Sequence, residues 1–219
     1  MSRSVRWTLL LVLAGLALLS LTEPRSAHAA SVGAVLGLNR AAISGDAPPN
    51  TAYGAGAGLM AGIQGELALT RDLSLSLQPM YVQRRTELRA ADAAESGDER
   101  VLNLDLDYVS VPVLVKFRAG GGRTYFAGGV DVAFLSSARA SGEGVDEDLE
   151  PLLHSVDVGA LFGFGVVFPV GRPRLATELR YVQGLVNLRE AEQGIVQELP
   201  DRFHSSGLQL MAGILFPIG

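Results

Sequence analysis

From Leu102 to Phe134 the chain reads LNLDLDYVSVPVLVKFRAGGGRTYFAGGVDVAF, two long arms joined by a Gly-rich turn. Leu102, Leu104, Leu106 and Tyr108 alternate with Asn103, Asp105 and Asp107. A period of two, with apolar and charged residues interleaved, is what a strand with one dry and one wet face requires. The first arm then continues from Val109 to Phe117 as an almost unbroken apolar run, which predicts that both faces are dry near the turn. Each arm runs about sixteen residues, well past the ~5 to 6 typical of soluble strands. A tilted strand needs only ~9 to 11 residues to cross a bilayer, so the hairpin has the length to span a membrane and project above it.

The same pattern predicts strands near Val32 to Ile43, Ala55 to Leu69, Leu73 to Leu88, Leu102 to Arg118, Thr124 to Ala138, Ser155 to Val170, Arg174 to Arg189 and Ser205 to Ile218. Thr70 to Asp72, Gly120 to Arg123 and Gly171 to Pro173 are tight connectors, whereas Ser44 to Gly54, Arg89 to Val101, Ser141 to His154 and Glu190 to His204 are longer and polar. Short turns at one end and long loops at the other predict an all-β fold, a single closed antiparallel up-and-down transmembrane β-barrel of about eight strands.

Cross-strand neighbours share a face, so each turn fixes a register. Around Gly120 the expected partners are Leu114, Pro112 and Tyr108 with Gly128, Val130 and Phe134, and Val111 and Asp107 with Asp131 and Leu135. Around Thr70 to Asp72, Leu67 and Ile63 meet Leu75 and Pro79, while Glu66 and Gln64 meet Ser76 and Gln78. The expected lipid face collects Leu36, Leu38, Leu59, Ile63, Leu75, Tyr81, Leu104, Phe126, Val132, Phe162, Phe164, Phe168, Leu179, Tyr181, Leu208, Leu210, Ile214 and Phe216. The expected interior collects Asn39, Gln64, Glu66, Gln78, Arg84, Asp105, Asp107, Asp131, Asp157, Glu178, Arg180 and Gln209, mixed with small residues.

The N-terminus changes the address. Arg3 and Arg6 precede an apolar run from Trp7 to Leu21, and Ala27 and Ala29 fit a small-x-small cleavage site, so residues 1–29 are expected to be a cleaved signal peptide and 30–219 the barrel domain. Loss of Arg3, Arg6, Arg25 and Glu23 leaves 15 Lys+Arg against 22 Asp+Glu, which moves the formal charge from -5 to -7. An acidic chain with scattered basic residues excludes a nucleic-acid partner. The chain has no cysteine, which excludes disulfides and a thiol nucleophile. Beyond the leader no stretch is long and apolar enough for a helical span, and the 26 glycines point to strands and turns.

The segments LDYVSVPVLVKF, YFAGGVDVAF and LSLSLQPMYVQRR, with the alternation of long strands around them, resemble PorT-type and OmpA-like outer-membrane β-barrel proteins. The resemblance covers the mature chain and implies a cell outer-membrane location, contact with outer-membrane lipid and lipopolysaccharide, and insertion by the barrel assembly machinery. Leu208, Leu210, Ala212, Ile214 and Phe216 resemble the C-terminal assembly signal of such proteins, although the chain ends Pro217-Ile218-Gly219 where the family has a terminal aromatic.

An eight-stranded barrel leaves a lumen only wide enough for side chains, and buried charges need partners. Glu66, Asp131, Asp157, Glu178 and Arg180 are therefore expected to form an interior charge network, with Arg84 opposite Asp105 across the loop hairpin. Such a network plugs the barrel, while a proton or ion path is the alternative. Arg84, Arg85, Arg89 and Arg100 are candidates for lipopolysaccharide contact, since guanidinium forks match phosphate oxygens. Asp146, Glu147, Asp148 and Glu150 read as a solvated acidic loop without the ligand spacing of a calcium loop.

His204 and Ser206 share a face and resemble the His-x-Ser pair of barrel-type lipid A deacylases, with Glu190, Glu192 or Glu198 as the orienting carboxylate a triad needs. No nucleotide fingerprint or metal-ligand spacing accompanies them, so no cofactor or metal is expected. The expected function is a non-enzymatic barrel with a structural or interaction role. A narrow solute channel or secretion accessory is the alternative, and a surface lipid hydrolase the outsider.

Overall fold

The structure, a computed structural model, describes residues 30–45, 51–91, 99–142, 145–148, 154–185 and 203–218. Ten strands follow one another: β1 (Ala30–Gly45), β2 (Thr51–Ala68), β3 (Leu73–Leu77), β4 (Met80–Ala91), β5 (Glu99–Phe117), β6 (Thr124–Gly142), β7 (Val145–Asp148), β8 (Val156–Pro169), β9 (Arg174–Gly184) and β10 (Phe203–Ile218). They make eight staves. β3 and β4 are one stave interrupted at Gln78 and Pro79, where proline has no N–H to give the ladder, and β7 is a short flap on the loop end of β6.

All neighbours run antiparallel, and β1 pairs with both β2 and β10, which closes the sheet on itself. Closure removes the open edges that a flat sheet would present. The tight turns lie at one end, two of them resting on glycines with positive φ, Gly120 at 62° and Gly171 at 70°. Left-handed backbone costs glycine little, so these turns stay short. The leader expected over residues 1–29 and most of the four loops lie outside the described residues.

The outer wall is apolar. Leu36, Leu59, Phe126 and Phe162 are each more than 60% exposed, and Phe126 meets Phe164 with ring centroids 5.4 Å apart. Each strand alternates these residues with buried ones, and what is buried includes Arg180, Lys116, Asp157 and Asn39. Apolar outside and charged inside is the inverse of a soluble domain, and it is the partition that hydrocarbon imposes on a barrel.

Five details differ from the sequence reading. The β5–β6 register sets Leu114 opposite Gly129, Pro112 opposite Asp131 and Val109 opposite Phe134, one residue from the expected pairs, and it slips again between Asp107 and Tyr108. A one-residue slip exchanges faces, so Leu104 and Tyr108 are buried inside while Asp105 and Asp107 point outward. The run from Val109 to Phe117 is dry only outside, for Ser110 and Lys116 face the lumen. Asp146, Glu147 and Asp148 lie in β7, paired with β6, where a loop was expected. β9 ends at Gly184, short of the expected Arg189.

The outer face of β5 explains the inversion. Going from the loops to the turn it reads Asn103, Asp105, Asp107, then Val109, Val111, Val113, Val115 and Phe117. The geometry is continuous, but the solvent on that face changes from water to lipid between Asp107 and Val109. Equivalent changes fall between Leu38 and Arg40 on β1, Tyr81 and Gln83 on β4, and Tyr181 and Gln183 on β9. Tyr81 and Tyr181 thus stand at the boundary, the level that interfacial aromatics prefer. Val109 to Phe117 spans about nine residues, the length a tilted strand needs to cross.

Candidate functional site: the charge-filled lumen

Glu66, Asp131, Asp157, Glu178 and Arg180 are all buried on the inner wall. With them the lumen holds Arg84, Lys116 and Arg118, so that among the described residues four carboxylates face four cations. The eight charges separate into two clusters along the barrel.

The cluster nearer the turns centres on Glu66 and Glu178. Arg118 Nη2 donates to Glu66 Oε1 at 2.5 Å, and Lys116 Nζ lies 3.5 Å from both Glu66 Oε2 and Glu178 Oε2. Arg180 Nε donates to Glu178 Oε1 at 2.8 Å, and its Nη2 donates to Gln78 Oε1 at 2.6 Å. The Tyr125 hydroxyl donates to Glu178 Oε2 at 2.6 Å, and Gln64 Nε2 donates to Glu66 Oε2 at 3.3 Å. Each carboxylate therefore touches two cations. Lys116 Nζ also sits 4.8 Å from the centre of the Tyr125 ring. That ring lies across Gly165, where a Cβ would overlap it. The glycine is what lets the aromatic lie flat against the wall.

Among the described residues, the cluster nearer the loops has one cation. Arg84 Nη1 donates to Asp157 Oδ2 and, at 3.0 Å, to Ser205 Oγ, while Arg84 Nη2 lies 3.6 Å from Asp131 Oδ2. Ser205 Oγ donates to Asp157 Oδ2 at 3.1 Å, and Ser110 Oγ donates to Asp131 Oδ1. The guanidinium stacks over Tyr108, 4.3 Å from the ring centre. Asp157 Oδ1 is buried with no hydrogen-bond partner among the described residues.

Arg84 is accordingly removed from the expected lipopolysaccharide contacts, because odd and even positions of β4 face opposite ways and Arg84 faces in. Arg85 is the residue opposite Asp105, on the outside, at 3.5 Å. The side chains of Arg89 and Arg100 lie outside the described residues, as do those of His204, Asp146, Glu147 and Asp148, and the whole of Glu150, Glu190, Glu192 and Glu198. Ser206 is on the outer face of β10, between Ala42 and Gln183. No group of three His, Cys, Asp or Glu suited to a metal occurs among the described residues.

Sequence reasoning did not assign Lys116, Arg118 and Tyr125 to the network. The signal was available for Lys116, which shares even parity on β5 with Tyr108, Ser110, Pro112 and Leu114, the face turned inward once the register is known.

A closed antiparallel barrel with a lipid-facing apolar wall and a lumen of paired charges defines a transmembrane β-barrel protein. The family described as "Outer membrane protein beta-barrel domain" matches residues 22–190, and the chain belongs to it. No curated protein matches the chain. Solved structures similar to it include Ail of Yersinia pestis, 14% identical, covering 85% of this chain and 99% of that one with a TM-score of 0.45. OprG of Pseudomonas aeruginosa is 9% identical over 87% of this chain and 96% of that one, TM-score 0.48. Neisserial surface protein A is 15% identical over 84% and 96%, TM-score 0.42.

Proposed function

We propose that this protein is a non-enzymatic, non-conducting outer-membrane barrel of the PorT-like kind with a structural or interaction role. The observation that supports this reading is the lumen: eight paired charges, with Tyr108, Tyr125, Gln78 and Asn39 fully buried among them, occupy the interior that an ion would have to cross. An eight-stranded barrel has just room for such a filling. What the protein offers to a partner is then its outer surface and its loops. Arg85 and Arg139 flank Asp105 on neighbouring strands, in the second row above the lipid boundary, which suits them to lipopolysaccharide phosphates.

The test is electrical. The folded mature chain in a planar bilayer should give no unitary conductance steps. Stable steps whose ion preference changes with Glu178→Gln would replace this reading by that of a narrow channel, because side chains lining a water-filled pore set its selectivity.

A further inference from the structure

Each of the three tight turns carries exposed arginine: Arg71 between β2 and β3, Arg123 between β5 and β6, and Arg172 between β8 and β9. Arg118 and Arg174 stand at the same mouth, partly exposed, the first bound to Glu66 and the second donating to Ser31 Oγ at 2.7 Å. Asp72 is the only carboxylate in these turns. None of Arg71, Arg123 and Arg172 is held by a carboxylate among the described residues. An acidic chain has therefore placed at one end a ring of cations that no described carboxylate neutralises.

Immediately membrane-ward of that ring the wall is apolar. Leu69 and Leu73 bracket Arg71, Phe126 follows Arg123 by three positions, and Val170 and Leu175 bracket Arg172, all of them exposed. At ~3.3 Å per residue on a tilted strand, the guanidiniums lie within several ångströms of the hydrocarbon edge, which is headgroup height. Gly171 in the left-handed conformation and Pro173 fix the turn that presents Arg172. Short turns of such barrels face the periplasm, where the leaflet is phospholipid.

We infer that the turn-side arginine ring, Arg71, Arg123 and Arg172, binds the phosphate groups of anionic phospholipids in the periplasmic leaflet and anchors the barrel at that depth. The inference rests on the membrane-barrel reading. Arginine suits the task because it is always charged and its fork matches two phosphate oxygens.

The experiment uses the mature chain folded into phosphatidylcholine bilayers containing spin-labelled phosphatidylglycerol or spin-labelled phosphatidylcholine. The motionally restricted fraction gives the relative association of each lipid with the barrel surface. The heat-dependent gel shift of folded barrels is scored in parallel, so failure to insert, which would sink the membrane reading itself, is told apart from lack of lipid selectivity. Inserted parent protein should prefer phosphatidylglycerol about fivefold, the ratio expected for one surface arginine facing an anionic lipid. Arg71→Gln combined with Arg123→Gln and Arg172→Gln should insert normally and bring the ratio close to unity. Arg71→Lys combined with Arg123→Lys and Arg172→Lys, which keeps the charge at each turn, should keep most of the preference, and inorganic phosphate in the buffer should not substitute for the lipid. Equal association of both lipids with the inserted parent, an unchanged ratio in the triple variant, or full displacement by inorganic phosphate would overturn the proposal.

Discussion

The two charge clusters in the lumen are built on different principles. On the turn side, Glu66 and Glu178 each have two cationic partners and share Lys116, so every pairing has a substitute. On the loop side, Asp131 and Asp157 both depend on Arg84, and one oxygen of Asp157 is already without a partner among the described residues. The difference teaches where a barrel with a charged core is fragile. The cost of removing one member of a buried pair is mostly the cost of stranding the other. Stability should therefore track how many partners a charge shares, more than how deeply it is buried.

The largest effect follows from breaking the cluster with no spare. Arg84→Met leaves two buried carboxylates unpaired and should cost ~3 to 5 kcal/mol or more in urea unfolding from lipid vesicles. Adding Asp131→Asn and Asp157→Asn should recover most of that loss. If the triple variant were as unstable as Arg84→Met, the stranded-charge account of the loop-side cluster would be wrong.

Outside the lumen, Phe164→Arg puts a cation against lipid and should cost ~2 to 4 kcal/mol in the same assay. The neutral substitution Phe164→Leu should cost little by comparison. Equal tolerance of both would mean that this wall does not face hydrocarbon.

Lys116→Met probes the redundant cluster, where Glu66 keeps Arg118 and Glu178 keeps Arg180. The expected loss is ~1.5 kcal/mol, the low end for a hydrogen bond to a charged group. A loss matching that of Arg84→Met would erase the distinction between the clusters. Smallest is Tyr125→Phe, which removes only the hydroxyl bonded to Glu178 and leaves that carboxylate both of its cations, so the cost should fall to about 1 kcal/mol, below the usual range for a charged partner. Parent-like stability of Tyr125→Phe would show that this hydrogen bond contributes nothing.

Much of the fold was legible because strand existence, turn length and parity are local. Thr70 to Asp72 fixed its register correctly, with Glu66 opposite Ser76 and Leu67 opposite Leu75. The hairpin at Gly120 did not, because the Gly-rich turn permits several registers and the slip at Asp107 lies far from it. The error then spread through one assumption, that charged residues point inward along a whole strand. That holds only while lipid lies outside. Above the boundary the outer face is wet, so Asp105 and Asp107 turn outward and Leu104 and Leu106 fill the barrel's upper interior. The same reasoning placed Arg84 in the interior correctly but set it opposite Asp105, where its neighbour Arg85 stands on the outer face. Partner choice was beyond the sequence, since Arg84 and Asp157 stand 73 positions apart and meet only when the wall curves round.

The pairing of β1 with β10 has a kinetic meaning. Ala30 lies beside Ile218, so the seam that completes the barrel joins the first and last described residues. Most other ladders link neighbours in the chain and can form as hairpins, but this one must wait for every stave to be in place, and closing so long a loop is slow. Until then two unpaired edges remain exposed, each a template for pairing with the wrong chain. The chain's most hazardous moment is therefore the interval before its ends find one another.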